Sequence, residues 1–514
     1  MALTKRQKKI SMIGFLVAIV FFLFFVFLPA VYILSYVWKV ESMFSQTVIR
    51  AVSTSFFIGL MVVVINLIFG LPLAWAMVRG KTWVSGWLDN LVDLSLVVPT
   101  AALGFSIYLY WGSKYGIASL FGLEDGFVSR GVIMIILLHV VFTIPYMIRS
   151  VGAAISHIDI DLEEAAVTLG ANPFTIFRTI SLPLFRDGVI VGSVLSFTRS
   201  LSETGATMMV AGAVSTAPVL IVGLKQMGDM PGASGASIFL ILSAMAVLFF
   251  AKFFLREKTI NIEKVYPNFE KSLFMLKPLL NIILAIFFIL IVFLPTIFIV
   301  LYNITSLNFF MSGMLIKSLV ISFSLAFIAT LINLFFSVPL AYLIARNIFG
   351  LGRFFDGLNE IVLLVPTSAL GLSLALFWNN FFANEFLILL LTHLSFTFPL
   401  LVKPLAAAFK DISHSLEEAA YSLGANTKTM FVTILLPLIK PAIIAGSIMA
   451  FMRSLSETGA TFAVSKNIKT IPIVIVDMVK TDNLSQAAFA CTILFFISLV
   501  FLLILKYNKL SKLR

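Results

Sequence analysis

Apolar runs of roughly twenty residues or more recur from one end of this 514-residue chain to the other, and they leave it few ways to fold. About 20 such residues cross the hydrocarbon of a bilayer as an α-helix. Inside it each backbone N–H and C=O must find a partner within the protein, which favours helices over open strands. The runs lie near 12–37, 51–77, 87–111, 131–150, 188–211 and 237–255. A second set lies near 279–302, 318–345, 358–378, 386–403, 442–463 and 486–505. With 60% hydrophobic residues, 12% charged ones and 52 phenylalanines, a soluble core is excluded. The fold class read from these runs is an all-α polytopic membrane protein with about 12 transmembrane helices.

The formal charge of +12 raises the possibility of nucleic acid, but its placement argues against it. Lys5, Arg6, Lys8 and Lys9 precede the first run, Arg79 and Lys81 follow the second, and Arg149, Arg178 and Arg186 fall between the fourth and fifth. Lys252, Arg256, Lys258, Lys264, Lys271 and Lys277 surround the middle of the chain. Basic residues in alternate loops obey the positive-inside rule and put both ends in the cytoplasm. A nucleic-acid partner would need one contiguous basic face. The single Cys491 excludes an intramolecular disulfide and a cysteine-cluster metal site. His139, His157, His393 and His414 are too scattered to predict a metal site. The first run reads as a retained span rather than a cleaved signal.

Polar residues repeat along with the apolar ones. Asn66, Pro72 and Arg79 recur as Asn333, Pro339 and Arg346, and "VPTAALG" at 98–104 recurs as "VPTSALG" at 365–371, all at an offset of 267. His139 and Pro145 recur as His393 and Pro399 at an offset of 254, the intervening loop of the first half being 13 residues longer. Six spans return a chain to its starting side, so the halves are expected to be parallel repeats. The predicted division is a first repeat at 1–255, a cytoplasmic linker at 256–278 and a second repeat at 279–514. Asn66, Asn333, His139 and His393 are expected to hydrogen-bond between packed helices, and Pro72, Pro145 and their counterparts to bend or end spans.

Between the fourth and fifth runs stands "EEAAVTLGAN" at 163–172, matched by "EEAAYSLGAN" at 417–426. From Glu163 to Phe185, 15 of 23 positions equal those from Glu417 to Ile439. Acidic residues followed by good helix formers suit a helix start, and Leu162, Ala165, Ala166 and Leu169 form one apolar face. Gly170 and Gly424 either end these helices or let another chain approach closely. Glu164, Ala165, Ala166, Gly170, Leu182 and Pro183, and again Glu418, Ala419, Ala420, Gly424, Leu436 and Pro437, resemble the cytoplasmic EAA loop of binding-protein-dependent ABC importer permeases.

That resemblance implies a type I importer (MetI-like) fold of two parallel six-helix repeats in a bacterial or archaeal cytoplasmic membrane. It implies that 161–172 and 415–426 dock on two ATP-hydrolysing nucleotide-binding subunits through Glu163, Glu164, Ala165, Ala166 and Gly170, and through Glu417, Glu418, Ala419, Ala420 and Gly424. An extracytoplasmic substrate-binding protein is the third implied partner, and the cargo passes by alternating access. No G-x-x-x-x-G-K-[ST] sequence occurs in the chain. It is therefore not expected to be an enzyme or to hold a cofactor, ATP and Mg belonging to partner subunits.

Charges also stand within the fifth and eleventh runs. "SFTRSLSETGATMMV" at 196–210 and "AFMRSLSETGATFAV" at 450–464 agree at 11 of 15 positions. Arg199 and Glu203 stand four residues apart and so share a helical face, as do Arg453 and Glu457. Charges at this depth need partners, within one half or across to the other, and the four residues are candidates for a gate or pathway. The stretch resembles the fifth span of molybdate and sulfate importer permeases, and "STAP" at 215–218 and "KTIP" at 469–472 resemble the turn after it. Fusion of both halves in one chain resembles ferric-iron and thiamine permeases. Ferric iron or an inorganic oxyanion is the leading cargo class, followed by thiamine or an organophosphonate. An ion-coupled secondary transporter and a non-transporting membrane scaffold are the alternatives.

Overall fold

A computed structural model describes residues 14–39, 41–80, 83–255, 277–306 and 312–510. The basic cluster at 5–9, Lys81 and nearly all of the expected linker at 256–278 lie outside the described residues. All regular structure among the described residues is helical. The first half contains α1 (Gly14–Tyr36), α2 (Gln46–Arg79), α3 (Trp83–Val97), α4 (Thr100–Gly112) and α5 (Val132–Ser156). It continues with α6 (Ile160–Thr168), α7 (Pro173–Ser202), α8 (Gly205–Val210), α9 (Ala217–Gln226) and α10 (Met230–Leu255). The second half repeats the series as α11 (Ile282–Ile304), α12 (Gly313–Ala345), α13 (Gly352–Leu364), α14 (Thr367–Trp378) and α15 (Glu385–Asp411). It ends with α16 (His414–Ser422), α17 (Thr427–Leu455), α18 (Gly459–Val464), α19 (Ile471–Lys480) and α20 (Leu484–Leu510).

Ten helices among the described residues are long and apolar enough to cross a membrane, or up to twelve if each bent pair is one span. The bent pairs fall on the runs at 87–111 and 358–378. The helices turn by 111° and 106° at Pro99 and Pro366. Each proline has ψ near 135°, and the residue before a proline disfavours the helical region, so two consecutive residues leave the helix. Pro72, Pro145, Pro339 and Pro399 lie instead inside continuous helices. Packed neighbours can tolerate a proline within a membrane helix. Pro183 and Pro437 follow the π-helical turns Phe177–Ser181 and Phe431–Leu435, which accommodate the missing donor.

The halves interleave. One core joins Phe105 and Ile144 to Phe288, Val292 and Leu494, so α11 and α20 pack on the first half. The other joins Phe398 and Leu405 to Phe22, Val26 and Leu240, so α1 and α10 pack on the second. Phe21 stacks on Phe336 with centroids 3.9 Å apart, and Phe287 stacks on Phe69 at 3.7 Å. Ser373 ties the same contact: its hydroxyl accepts from the Ile33 N–H (2.9 Å) and donates to the Pro29 carbonyl (2.7 Å). A side chain inserted into the i→i−4 ladder distorts the helix, and α1 tightens into a 3₁₀ turn from Tyr32. Ser106 donates to the Pro295 carbonyl in the reciprocal contact.

Interhelical polar ties behave as anticipated. Asn66 donates to Thr143 (2.8 Å), and Asn333 to Thr397 (2.8 Å) and the Leu394 carbonyl (2.9 Å). The short helices α6 and α16 lie at one end of the bundle with Arg79 and Arg346. The described chain begins and ends there too: Phe15 stacks on Tyr342, and Lys506 meets Asn90. Replacing Ser373 by Ala leaves the Ile33 N–H without its acceptor. The expected result is a loss of about 1–3 kcal/mol in an unfolding titration in mild detergent. A stability equal to wild type would count against this tie.

Candidate functional site

The charged stretches of the fifth and eleventh runs do not lie on continuous helices. α7 stops at Ser202, Glu203 takes φ −75° and ψ 129°, and α8 starts at Gly205. α17 stops at Leu455 and α18 starts at Gly459. Each glutamate holds its break together. The Glu203 carboxylate lies 2.8 Å from Arg199 and accepts from the Ala206 N–H (3.4 Å). Glu457 lies 2.5 Å from Arg453 and accepts from the Ala460 N–H (2.9 Å). Both ion pairs therefore form within a half, which decides between the two arrangements open to the sequence. Glu203 is 4% exposed and Glu457 1%. A carboxylate this buried needs both the cation and the N–H, because the exposed backbone donors of a helix start replace lost water.

The other side of each guanidinium rests on an aromatic face. Arg199 lies 5.2 Å from the Phe142 centroid, and Arg453 5.5 Å from that of Phe396. One turn before these phenylalanines, His139 bridges the break, with Nδ1 2.8 Å from Ser200 Oγ and Nε2 2.9 Å from Thr207 Oγ1. His393 does the same between Ser454 (2.7 Å) and Thr461 (3.4 Å). The two histidines thus clamp the helices on either side of each break, as interhelical partners rather than metal ligands.

The breaks meet at the centre of the molecule. A Cβ on Gly205 would stand 2.3 Å from Thr458 Cγ2, and one on Gly459 2.4 Å from Thr204 Oγ1. α4 and α14 close on the same seam, since a Cβ on Gly104 would meet Ala206 at 2.7 Å and one on Gly371 would meet Ala460 at 2.5 Å. From this seam a cavity of about 840 Å³ runs toward the end that carries α6 and α16. Asp89, Asp93, Arg149, Arg199, Arg453 and Lys506 line it. Arg149 pairs with Asp89 (2.5 Å) and Asp93, and Lys506 lies 3.5 Å from Asp93. The equivalent pair in the second half is Lys403–Asp356 at 2.8 Å.

At the far end of the cavity the repeated polar segments are short helices. Asp159 and Ser413 cap them, and Gly170 and Gly424 end them, both with φ of +85°. The Ala171 N–H donates to Ala166 O and the Ala425 N–H to Ala420 O, each at 3.0 Å, which closes a glycine C-cap. Glu163 and Glu417 point inward to Arg79 (3.0 Å) and Arg346 (2.5 Å). Glu164, Ala165, Glu418 and Ala419 are exposed, while Ala166 and Ala420 are buried. The apolar face expected for Leu162, Ala165, Ala166 and Leu169 is therefore not buried as a unit, and Ala166 alone of the four packs inward. Leu169 is 88% exposed and Leu423 89%.

Sequence reading missed the seam itself, α9 and α19, and the acidic side of the cavity. The Thr-Gly pair directly after each glutamate was a usable signal, because glycine next to a buried acid marks a close backbone approach. Among the described residues no group of three or more His, Cys, Asp and Glu could hold a metal ion.

The family profile described as binding-protein-dependent transport system inner membrane component matches residues 66–256 and again 337–512. The molybdenum transport system permease protein ModB of Escherichia coli K12 is 34% identical over 216 residues, 40% of this chain and 93% of its own. The molybdate/tungstate transport system permease protein WtpB of Methanocaldococcus jannaschii is 29% identical over 245 residues, 48% of this chain and 96% of its own. A probable sulfate transport system permease protein cysT of Marchantia polymorpha is 29% identical over 229 residues, 43% of this chain and 80% of its own.

Truncating one member of a buried ion pair strands the other. Arg453→Met is expected to lower stability by about 3–5 kcal/mol, and adding Glu457→Gln to recover part of that loss. Thermal unfolding of the two variants checks it. A double variant no more stable than Arg453→Met would reject the pair as the source.

Proposed function

The chain belongs to the binding-protein-dependent transport system inner membrane component family, and on that premise we propose that it forms both halves of one importer pore for an inorganic oxyanion. It is a polytopic permease component of a binding-protein-dependent ABC import system rather than the ATPase. The proposed division is 1–255 and 279–514, joined by 256–278. The family profile matching twice supports it, as do relatives that pair nearly their whole length with less than half of this chain.

α6 and α16 act as the levers. Each has a buried carboxylate clasp inward and a bare leucine outward, an apolar surface that a folded monomer has no reason to leave open twice. This observation carries the reading: Glu164, Ala165, Glu418 and Ala419, with the turns at Gly170 and Gly424, meet two nucleotide-binding subunits that hold ATP and Mg. The same surface disfavours an ion-coupled carrier, which needs no such partner. An extracytoplasmic binding protein delivers cargo at the opposite end. Both termini and the levers face the cytoplasm of a bacterial or archaeal cell, in keeping with the basic loops.

Arg199, Glu203, Arg453 and Glu457 hold the seam, and the seam is the gate. It is shut in this structure while the cavity runs toward the levers, an inward-facing arrangement. The molybdate, tungstate and sulfate in the names of the relatives favour an oxyanion over ferric iron, thiamine or an organophosphonate.

Three experiments test this. Leu169→Arg with Leu423→Arg is expected to abolish capture of the ATPase pair in native mass spectrometry, with insertion unaffected. Retention of both subunits would reject the lever surfaces. Uptake of labelled molybdate, tungstate, sulfate and ferric iron into vesicles holding the whole complex should favour one of the oxyanions. Uptake of iron alone would overturn the cargo assignment. Gly205→Ala with Gly459→Ala should wedge the seam and let small ions leak across those vesicles. A leak at the wild-type level would reject the gate.

A further inference from the structure

The two levers are fastened to different helices. Glu163 and Glu417 are equivalent residues, and each keeps an arginine from the end of the second helix of its half: Arg79 on α2 and Arg346 on α12. Each carboxylate also takes one neutral hydroxyl, but from opposite sides. Ser181, at the end of the π-helical turn within α7, donates to Glu163 (3.0 Å). Its equivalent in the second half is Leu435, which cannot donate. There the hydroxyl comes from Tyr342 on α12, which donates to Glu417 (2.6 Å), where the first half has Trp75. Trp75 with Ser181 has become Tyr342 with Leu435. One donor is kept while its helix changes.

The arginines reinforce the difference. Arg346 donates through Nε (2.8 Å) and Nη2 (2.5 Å) to Glu417, and through Nη2 to the Ile412 carbonyl (2.9 Å). Arg79 reaches Glu163 at 3.0 Å and the Ile158 carbonyl at 3.3 Å through Nη2 alone, and its buried Nε has no partner. Three bonds thus tie Glu417 to Tyr342 and Arg346 and a fourth ties Arg346 to the Ile412 carbonyl, with no side-chain bond from Glu417 to α17. The first lever is held more loosely to α2 and bonded to α7, the helix that carries Arg199 to the seam.

We propose that Ser181 is a positioning residue through which the first lever alone drives the gate helix directly, while the second, clamped by Tyr342, moves with α12. This rests on the lever reading of α6 and α16. A carboxylate shared between two helices makes them move together, because separating them leaves a buried oxygen without its donor. A lever lacking that bond reaches its gate helix through the chain of its own turn, residues 423–426.

The test uses the full chain with its ATPase subunits and binding protein in nanodiscs. Thr204→Cys and Thr458→Cys report the seam through a short bis-maleimide, with Cys491→Ala removing the native thiol. In this background, ATP with vanadate should cut cross-linking. Adding Ser181→Ala is expected to lower seam opening per ATP hydrolysed by about fivefold to tenfold, Ser181→Thr to restore it, and Tyr342→Phe to leave it within about twofold. Trp75→Tyr with Ser181→Ala returns a donor to Glu163 from α2 and should recover stability but not opening. Opening at the background level in Ser181→Ala, an equal loss in Tyr342→Phe, or full opening in the Trp75→Tyr variant would each overturn the proposal. A background complex that carries no ATPase pair would remove the lever reading itself and the proposal with it.

Discussion

Glu203 and Glu457 each satisfy two demands with one carboxylate. Each neutralises a guanidinium that stands one helical turn earlier, and each accepts the N–H of a residue just inside the helix that follows. In a bilayer neither demand can be left to water. An intact helix would satisfy its own backbone but leave the acid with only the arginine. Breaking the helix at the acid supplies exposed N–H groups to the carboxylate and a carboxylate to the N–H groups. The breaks are therefore stable features, and they let Thr204 and Gly205 come within contact of Thr458 and Gly459.

Interleaving determines what such a seam can do. Because α1 and α10 pack into the second core and α11 and α20 into the first, pulling the halves apart would expose two cores at once. At the seam itself the contacts are backbone and small side chains rather than interdigitated phenylalanines. Ser373 and Ser106 fasten the crossing helices by their backbones, at the Pro29 and Pro295 carbonyls.

Much of this was legible in the residues. Apolar length marked the spans, and fixed offsets of Asn, Pro, Arg and Glu marked the repeat. Asn66 and His139 were readable as interhelical donors because a polar group inside an apolar run has few other uses. The departures have local causes. Pro99 breaks a run that Pro72 does not, although both sit in apolar surroundings, since neighbouring helices decide whether a kink becomes a turn. The break at Glu203 looked like helix because Arg199 and Glu203 keep helical spacing, and the ion pair forms with the acid just outside the helix. The arginine partners of Glu163 and Glu417 lie 84 and 71 residues away, beyond any spacing argument.

The cavity adds a constraint on selectivity. Its four lining cations all have acidic partners: Arg149 with Asp89 and Asp93, Lys506 with Asp93, Arg199 with Glu203, and Arg453 with Glu457. An anion entering from the seam would have to displace a carboxylate to gain a guanidinium, so much of its attraction is already cancelled. On the proposed reading, tight binding here would hold cargo back, and paired charges let an oxyanion pass without trapping it. The intramembrane arginines are committed first to the breaks, through Glu203 and Glu457.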